Sequence, residues 1–159
     1  VRPDPAERID SRAVTVWRVS GAAETLVTAI AAGVAYGLAA AGLIQIWVAL
    51  AVSAVAVFVA VISVAIVPRV RWLRWRYEVT ESEIYLLYGL IVRTRTLIPM
   101  TRVQHVDTKA GPLLRAFGLS SVTVATAGGE HEIPALADEV ADDLRDRIAT
   151  LARVSEDVV

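Results

Sequence analysis

Between Thr25 and Val67 the chain carries no charged residue, and arginines stand on both sides of that gap: Arg8, Arg12 and Arg18 before it, Arg69, Arg71, Arg74 and Arg76 after it. The hydrocarbon core of a bilayer is ~30 Å thick and takes roughly 20 apolar residues per spanning helix. The run is too long for one such helix and matches two joined by a very short turn. The expected spans are residues 25–44 and 46–67, with the break at Gly42 and Gln45. Trp47 suits the interface beside that turn, where an indole ring and its N–H find different surroundings. Pro68 is expected to end the second span, and the arginines after it can snorkel to the headgroups. Because the turn is uncharged and the opposite ends are basic, the retention of positive residues on the cytoplasmic side predicts two cytoplasmic termini. The sequence thus describes a multi-pass protein of the cell (inner or plasma) membrane, with the bilayer as its first partner. A cleaved leader is not expected, since the first apolar stretch starts only near residue 22 and is too long for an h-region.

What the spans lack also restricts function. Neither contains Asp, Glu, Lys, Arg or His, the groups that mark proton relays and ion pathways inside a membrane, so a pump or transporter is not expected. The absence of cysteine removes disulfides, thiolate metal sites and thiol nucleophiles. Ala29, Gly33, Gly37 and Ala41 repeat along one face of the first helix, and Ala49, Ser53, Ala56 and Ala60 along the second. Gly33 and Gly37 form a GxxxG pair that admits close backbone approach. These faces can pack on each other within the hairpin or dock against another membrane protein.

After the arginine cluster the period changes. Residues 77–80, 84–88, 91–98 and 102–108 are short β-branched and aromatic segments separated by turn signals, and 121–127 and 131–134 follow across Gly128 and Gly129. Residues 111–118 read as a short helical turn or loop. Leu136, Val140, Leu144, Ile148 and Leu151 then form one apolar stripe of a helix, with Asp138 as a candidate N-cap and acidic residues gathered at its start, as the helix dipole favours. The fold class is an α+β membrane protein: an N-terminal transmembrane hairpin, then an antiparallel sheet or small barrel covered by a C-terminal amphipathic helix. The expected partition is a cytoplasmic segment at 1–20, the hairpin at 21–68, a basic juxtamembrane segment at 69–76, a folded domain at 77–154 and a tail at 155–159.

Several runs carry a family resemblance: Tyr77-Glu78-Val79-Thr80; Ile98-Pro99-Met100-Thr101-Arg102-Val103-Gln104-His105-Val106-Asp107; Gly111-Pro112-Leu113-Leu114-Arg115-Ala116-Phe117-Gly118-Leu119; and Val122-Thr123-Val124. Together they resemble the bacterial PH-like domain of YdbS-type membrane proteins, which also carry a two-helix membrane hairpin before the domain. The resemblance implies a PH-like fold on the cytoplasmic face and implies no activity, because that family is defined by architecture. Arg102, Gln104 and Arg115 belong to the shared motifs. Arg115 is expected to tie loop carbonyls to the sheet through its planar fork, with contact to a lipid phosphate or a partner carboxylate as the alternative.

The site residues are therefore few. Arg69, Arg71, Arg74 and Arg76 read as a topology and anionic-lipid anchor, and Gly33 and Gly37 as helix-packing positions. No catalytic residue, cofactor or metal is expected: His105 and His131 lack ligand spacing, and His105 and Asp107 share a strand face without a nucleophile beside them. Phosphoinositide binding is not expected, since the turn between the first two strands is Thr80-Glu81-Ser82-Glu83, which repels a polyanion. Nucleic acid is not an expected partner either. The functional expectation is a non-enzymatic, membrane-anchored PH-like module that scaffolds or regulates a membrane complex, through a membrane-protein partner or a second copy of itself. The alternatives are a membrane-bound enzyme acting on lipid or envelope precursors, with Arg102, His105 and Asp107 near its centre, and an accessory subunit of a large membrane complex.

Overall fold

The computed structural model describes residues 3–157, with side chains as far as Val154, so residues 158 and 159 of the tail lie outside the described residues. The chain divides into two compact units: Val14–Val70, and a second that joins the residues up to Ala13 with those from Arg71 onward.

The first unit is the helical hairpin. Helix α1, Ala13–Ala40, ends where Gly42 adopts φ 72°. The Gly42 N–H bonds the Ala39 carbonyl and the Leu43 N–H the Leu38 carbonyl, each at 3.0 Å. This paired closure needs a left-handed residue after the helix, which glycine supplies without strain. Gln45 precedes α2, Ile46–Ala60, and its amide oxygen accepts the Trp47 indole N–H. A π-helical turn, Val61–Ile66, and α3, Val67–Arg74, continue α2 into one helix, Ile46–Arg74.

Pro68 lies within that helix and does not stop it. The Val67 N–H bonds the Ile62 carbonyl five residues back, and this widened turn absorbs the missing proline N–H and the ring's clash with the preceding turn. Among the described residues, Ala13–Ala40 and Ile46–Arg74 are the helices long and apolar enough to cross a membrane, and only 6% and 0% of their most apolar windows is buried inside the protein. Core helices of a soluble protein would be covered. Apolar surface left this open suits lipid, and the two helices are candidate membrane spans.

Close approach within the hairpin falls at Gly21, where an added Cβ would stand 2.5 Å from the Ser63 carbonyl oxygen. Gly33 and Gly37 have nothing within 4 Å of an added Cβ. The GxxxG pair faces open space, and the tight crossing is made by Gly21, which lies on the same four-residue register further toward the N-terminus.

The second unit holds two antiparallel sheets that do not close into a barrel. In one, the order is β1-β2-β3-β4, and in the other β5-β6-β7. The strands are β1 Glu7–Arg8, β2 Arg76–Val79, β3 Glu83–Tyr88, β4 Thr94–Pro99, β5 Val103–Lys109, β6 Leu119–Thr126 and β7 Gly129–Ala137. A 3-10 turn, Met100–Arg102, joins the sheets, and α4, Pro112–Ala116, connects β5 to β6. Ile84, Leu86, Met100, Leu119, Val122 and Ile133 are buried in the core. Gly128 and Gly129 make the β6–β7 hairpin, closed by the Thr126–Gly129 pair.

Helix α5, Asp138–Asp157, covers the second sheet with Ala141, Leu144 and Ile148, all buried, while Val140 is 46% exposed. Strict steps of four residues drift by about 40° each on a helix of 3.6 residues per turn, so the expected stripe walks off the face at Val140 and Ala141 takes its place. Asp138 starts the helix, accepting a 2.5 Å bond from the Ser120 hydroxyl, while its own N–H bonds the Gly118 carbonyl at 3.3 Å. β4 begins at Thr94, later than the segment 91–98 implied. Gly89 has φ 120°, and a Cβ there would overlap the Val92 carbonyl. The tight turn this glycine permits takes up Leu90, Ile91 and Val92.

The segment before α1 belongs to this unit. β1 pairs with β2, with Glu7 opposite Tyr77 and Arg8 opposite Arg76. Ile9 is buried, its carbonyl accepting the Trp72 indole N–H at 3.1 Å, and the Arg8 guanidinium lies 5.6 Å over the Trp72 ring. The Asp10 N–H then crosses to the other sheet, bonding the Ala135 carbonyl at 3.1 Å. That carbonyl is presented by a bulge: Ser120 pairs Leu136 but Val122 pairs Ile133, and Ala135 takes φ 51°. Arg12 completes the strap, gripping Asp10 at 3.0 and 3.1 Å and the Phe117 carbonyl at 2.9 Å. A stretch this polar shows no strand periodicity, because its order comes from pairing at distance and not from its own pattern.

Candidate docking cleft

Among the described residues each sheet ends in an open strand at the corner made by Met100–Arg102: β4 pairs only with β3, and β5 only with β6. An edge strand offers unpaired N–H and C=O groups to another chain. A cleft of ≈ 550 Å³ opens at that corner, with Leu97, Ile98 and Val103 as its apolar wall and Arg102, Gln104 and His131 as its polar groups. Its lining contains no carboxylate.

Gln104 reaches this position through a backbone irregularity. Val103 pairs with Thr126 but His105 pairs with Ala125, so Gln104 is the extra residue of a β-bulge. Bulges re-aim side chains and often sit beside functional sites. The 3-10 turn carries Arg102 to the same cleft, and the β6–β7 hairpin carries His131. The family resemblance singles out Arg102 and Gln104, but His131 joins them by tertiary folding. Arg102 and Gln104 are both exposed, so the cleft is suited to recognise an extended segment by backbone pairing and hydrogen bonds, with one cation to meet an acidic group.

The other expected residues separate. Arg115 in α4 donates to the Ala110 carbonyl at 3.2 Å. His105 Nε2 lies 3.5 Å from Asp107 Oδ2, both more than half exposed. His105 lines a smaller groove against α5 with Ala149, Ala152 and Arg153, on which Arg102 does not border. Of the juxtamembrane arginines, Arg74 donates to the Leu90 carbonyl and Arg76 to the Pro5 carbonyl at 3.4 Å; Arg69 and Arg71 lie on α3.

Burial holds the Tyr77 phenol in its neutral form well above its ordinary range, and the Glu7 carboxylate beside it acts in the same direction. The Arg12 fork holds the Asp10 carboxyl below the usual carboxylate range. Asp10 belongs to the N-terminal strap and Tyr77 to the strand that β1 pairs with, and neither lines the cleft.

Known proteins fit this architecture. The bacterial PH domain family matches residues 18–152. The UPF0699 transmembrane protein YdbS of Bacillus subtilis (strain 168) is 40% identical over 162 residues, which cover 100% of both chains. The UPF0699 transmembrane protein YdbT of the same organism is 29% identical over 79 residues, 50% of this chain and 16% of that longer protein. No solved structure matches. A family match that takes in both the hairpin and the sheets, with a relative alike from end to end, leads to one conclusion: the chain belongs to the bacterial PH domain family.

Proposed function

We propose that this protein is a non-enzymatic, membrane-anchored PH-like module that scaffolds or regulates a membrane-protein complex, taking an extended segment of its partner at the cleft between β4 and β5. The observation that carries this reading is the pair of open strand edges beside a cleft whose polar groups, Arg102, Gln104 and His131, are unopposed by any carboxylate in its lining. The match of 79 residues inside a much longer transmembrane protein agrees with a unit that is reused as a docking module. Arg102 and His105 line different hollows, which adjoin through Val103 and Gln104, and the catalytic alternative needs them at one centre.

Both outer ends of the hairpin are proposed to lie on the cytoplasmic side. The pairing of β1, before the first membrane helix, with β2, after the second, supports a common side, and the flanking arginines select the cytoplasm. Arg69, exposed on α3, is the residue proposed to meet anionic headgroups. Extraction of native membrane patches followed by mass measurement tests the assembly. The wild-type chain is expected in a particle heavier than the monomer, with a partner or a second copy. Arg102→Glu with Gln104→Glu, both surface changes that leave the fold intact within about 0.5 kcal/mol, is expected to release the monomer. A monomeric wild type, or a complex indifferent to the double change, contradicts the reading.

A further inference from the structure

The turn between β3 and β4 presents three consecutive apolar residues to solvent. Ile91 is 94% exposed, Val92 75% and Leu90 38%. The turn does not need their side chains, because Gly89 supplies its unusual backbone. A run of exposed apolar side chains at a loop tip marks a surface that meets something other than water.

Two observations identify what that is. First, the Leu90 carbonyl is held by the Arg74 guanidinium, and Arg74 ends the same helix that crosses the membrane. From Val67, the last residue of the uncharged run, to Arg74 is an eight-residue helix, ~12 Å long at 1.5 Å per residue. A headgroup layer is roughly 5–8 Å deep, from a ~30 Å core inside a bilayer of about 40–45 Å. The arginine that grips the loop therefore stands within about 4–7 Å of the outer edge of that layer. Second, the neighbours of the tip suit lipid: Leu73 on α3 is also exposed, and Arg93, exposed beside Val92, is placed to meet a phosphate. Apolar side chains flanked by cations are the composition of an interfacial anchor.

We propose that Leu90, Ile91 and Val92 insert into the bilayer interface as a third membrane contact, with Arg93 on anionic headgroups, so that the β3–β4 end of the sheet is held against the membrane. This contact is independent of any partner in the cleft. It also differs from a headgroup-binding pocket, since the tip recognises the apolar–polar boundary and not a particular lipid.

The chain has no native cysteine, so a single environment-sensitive fluorophore can be placed at Ile91→Cys in the full-length protein. Ser82→Cys, in the exposed β2–β3 turn at the other end of the same sheet, serves as the reference. Both are reconstituted in nanodiscs of mixed phosphatidylcholine and phosphatidylglycerol. The expected result at position 91 is blue-shifted emission, iodide quenching several-fold weaker than at 82, and strong quenching by lipids carrying a shallow nitroxide. Val92→Cys should behave like Ile91→Cys. Equal iodide quenching at 91 and 82 overturns the proposal. Protection from iodide without quenching by the nitroxide lipids also overturns it, because the tip is then covered by protein.

Discussion

Asp10 and Tyr77 decide how tightly the N-terminal strap is held, and they give way at opposite ends of the pH scale. Hydrogen bonds from Arg12 lower the Asp10 pKa below its ordinary 3.8, so its contribution is present above that value and is lost as pH falls through the lowered one. Burial, reinforced by Glu7, raises the Tyr77 pKa above its ordinary 10.0, so its contribution is present below pH 10 and is lost as pH rises beyond it. Amide exchange at Glu7 and Arg8 should therefore accelerate in acid and in strong alkali. Asp10→Asn should flatten the acid arm and Tyr77→Phe the alkaline arm. The hairpin offers a second test at this scale. Gly21→Val should disrupt the crossing, because its Cβ would meet the Ser63 carbonyl at 2.5 Å, whereas Gly33→Val adds atoms to open space. Helix–helix proximity measured by paired spin labels in the monomer should change for the first substitution and not the second.

At the scale of elements, α5 shows what patterning can and cannot give. Its existence and its buried face at Leu144 and Ile148 follow from apolar spacing, but which of Val140 and Ala141 faces the sheet depends on the 100° step of the helix and on how closely the sheet approaches. Ala141 is fully buried where a larger residue would hold the helix away. Leu144→Ala should cost roughly 2–5 kcal/mol, as cavity-forming core changes do, while Val140→Ala should stay within about 0.5 kcal/mol. Unfolding of the full-length protein in micelles, followed through the exchange of α5 amides, separates the two. The strands of the sheets were legible because β-branched and aromatic residues alternate with turn signals. β1 and the span of Leu90 to Val92 were not, for opposite reasons: one is a polar strand ordered by a distant partner, the other an apolar run that forms a turn because Gly89 bends it.

The whole molecule is organised around a hairpin that leaves and re-enters one folded unit. The two long apolar helices were legible from the uncharged run, and the PH-like sheets from their motifs. The cleft was half legible, since Arg102 and Gln104 sit in a recognisable run, while His131 and the bulge that turns Gln104 depend on pairing between strands far apart in sequence. The join between residues before the hairpin and the sheet after it had no local signal at all. That join is the central structural claim, because it brings residues from before and after the hairpin into a single sheet. Arg8 and Arg76 are directly opposite, so their Cα atoms are about 4.5–5.5 Å apart, inside the ~4.4–6.8 Å range of disulfides. In Arg8→Cys with Arg76→Cys, on a chain without other cysteines, mild oxidation in native membranes should close an intramolecular disulfide in most molecules. Thiols that remain separately alkylated under those conditions, or that label from opposite faces of the membrane, would contradict the account.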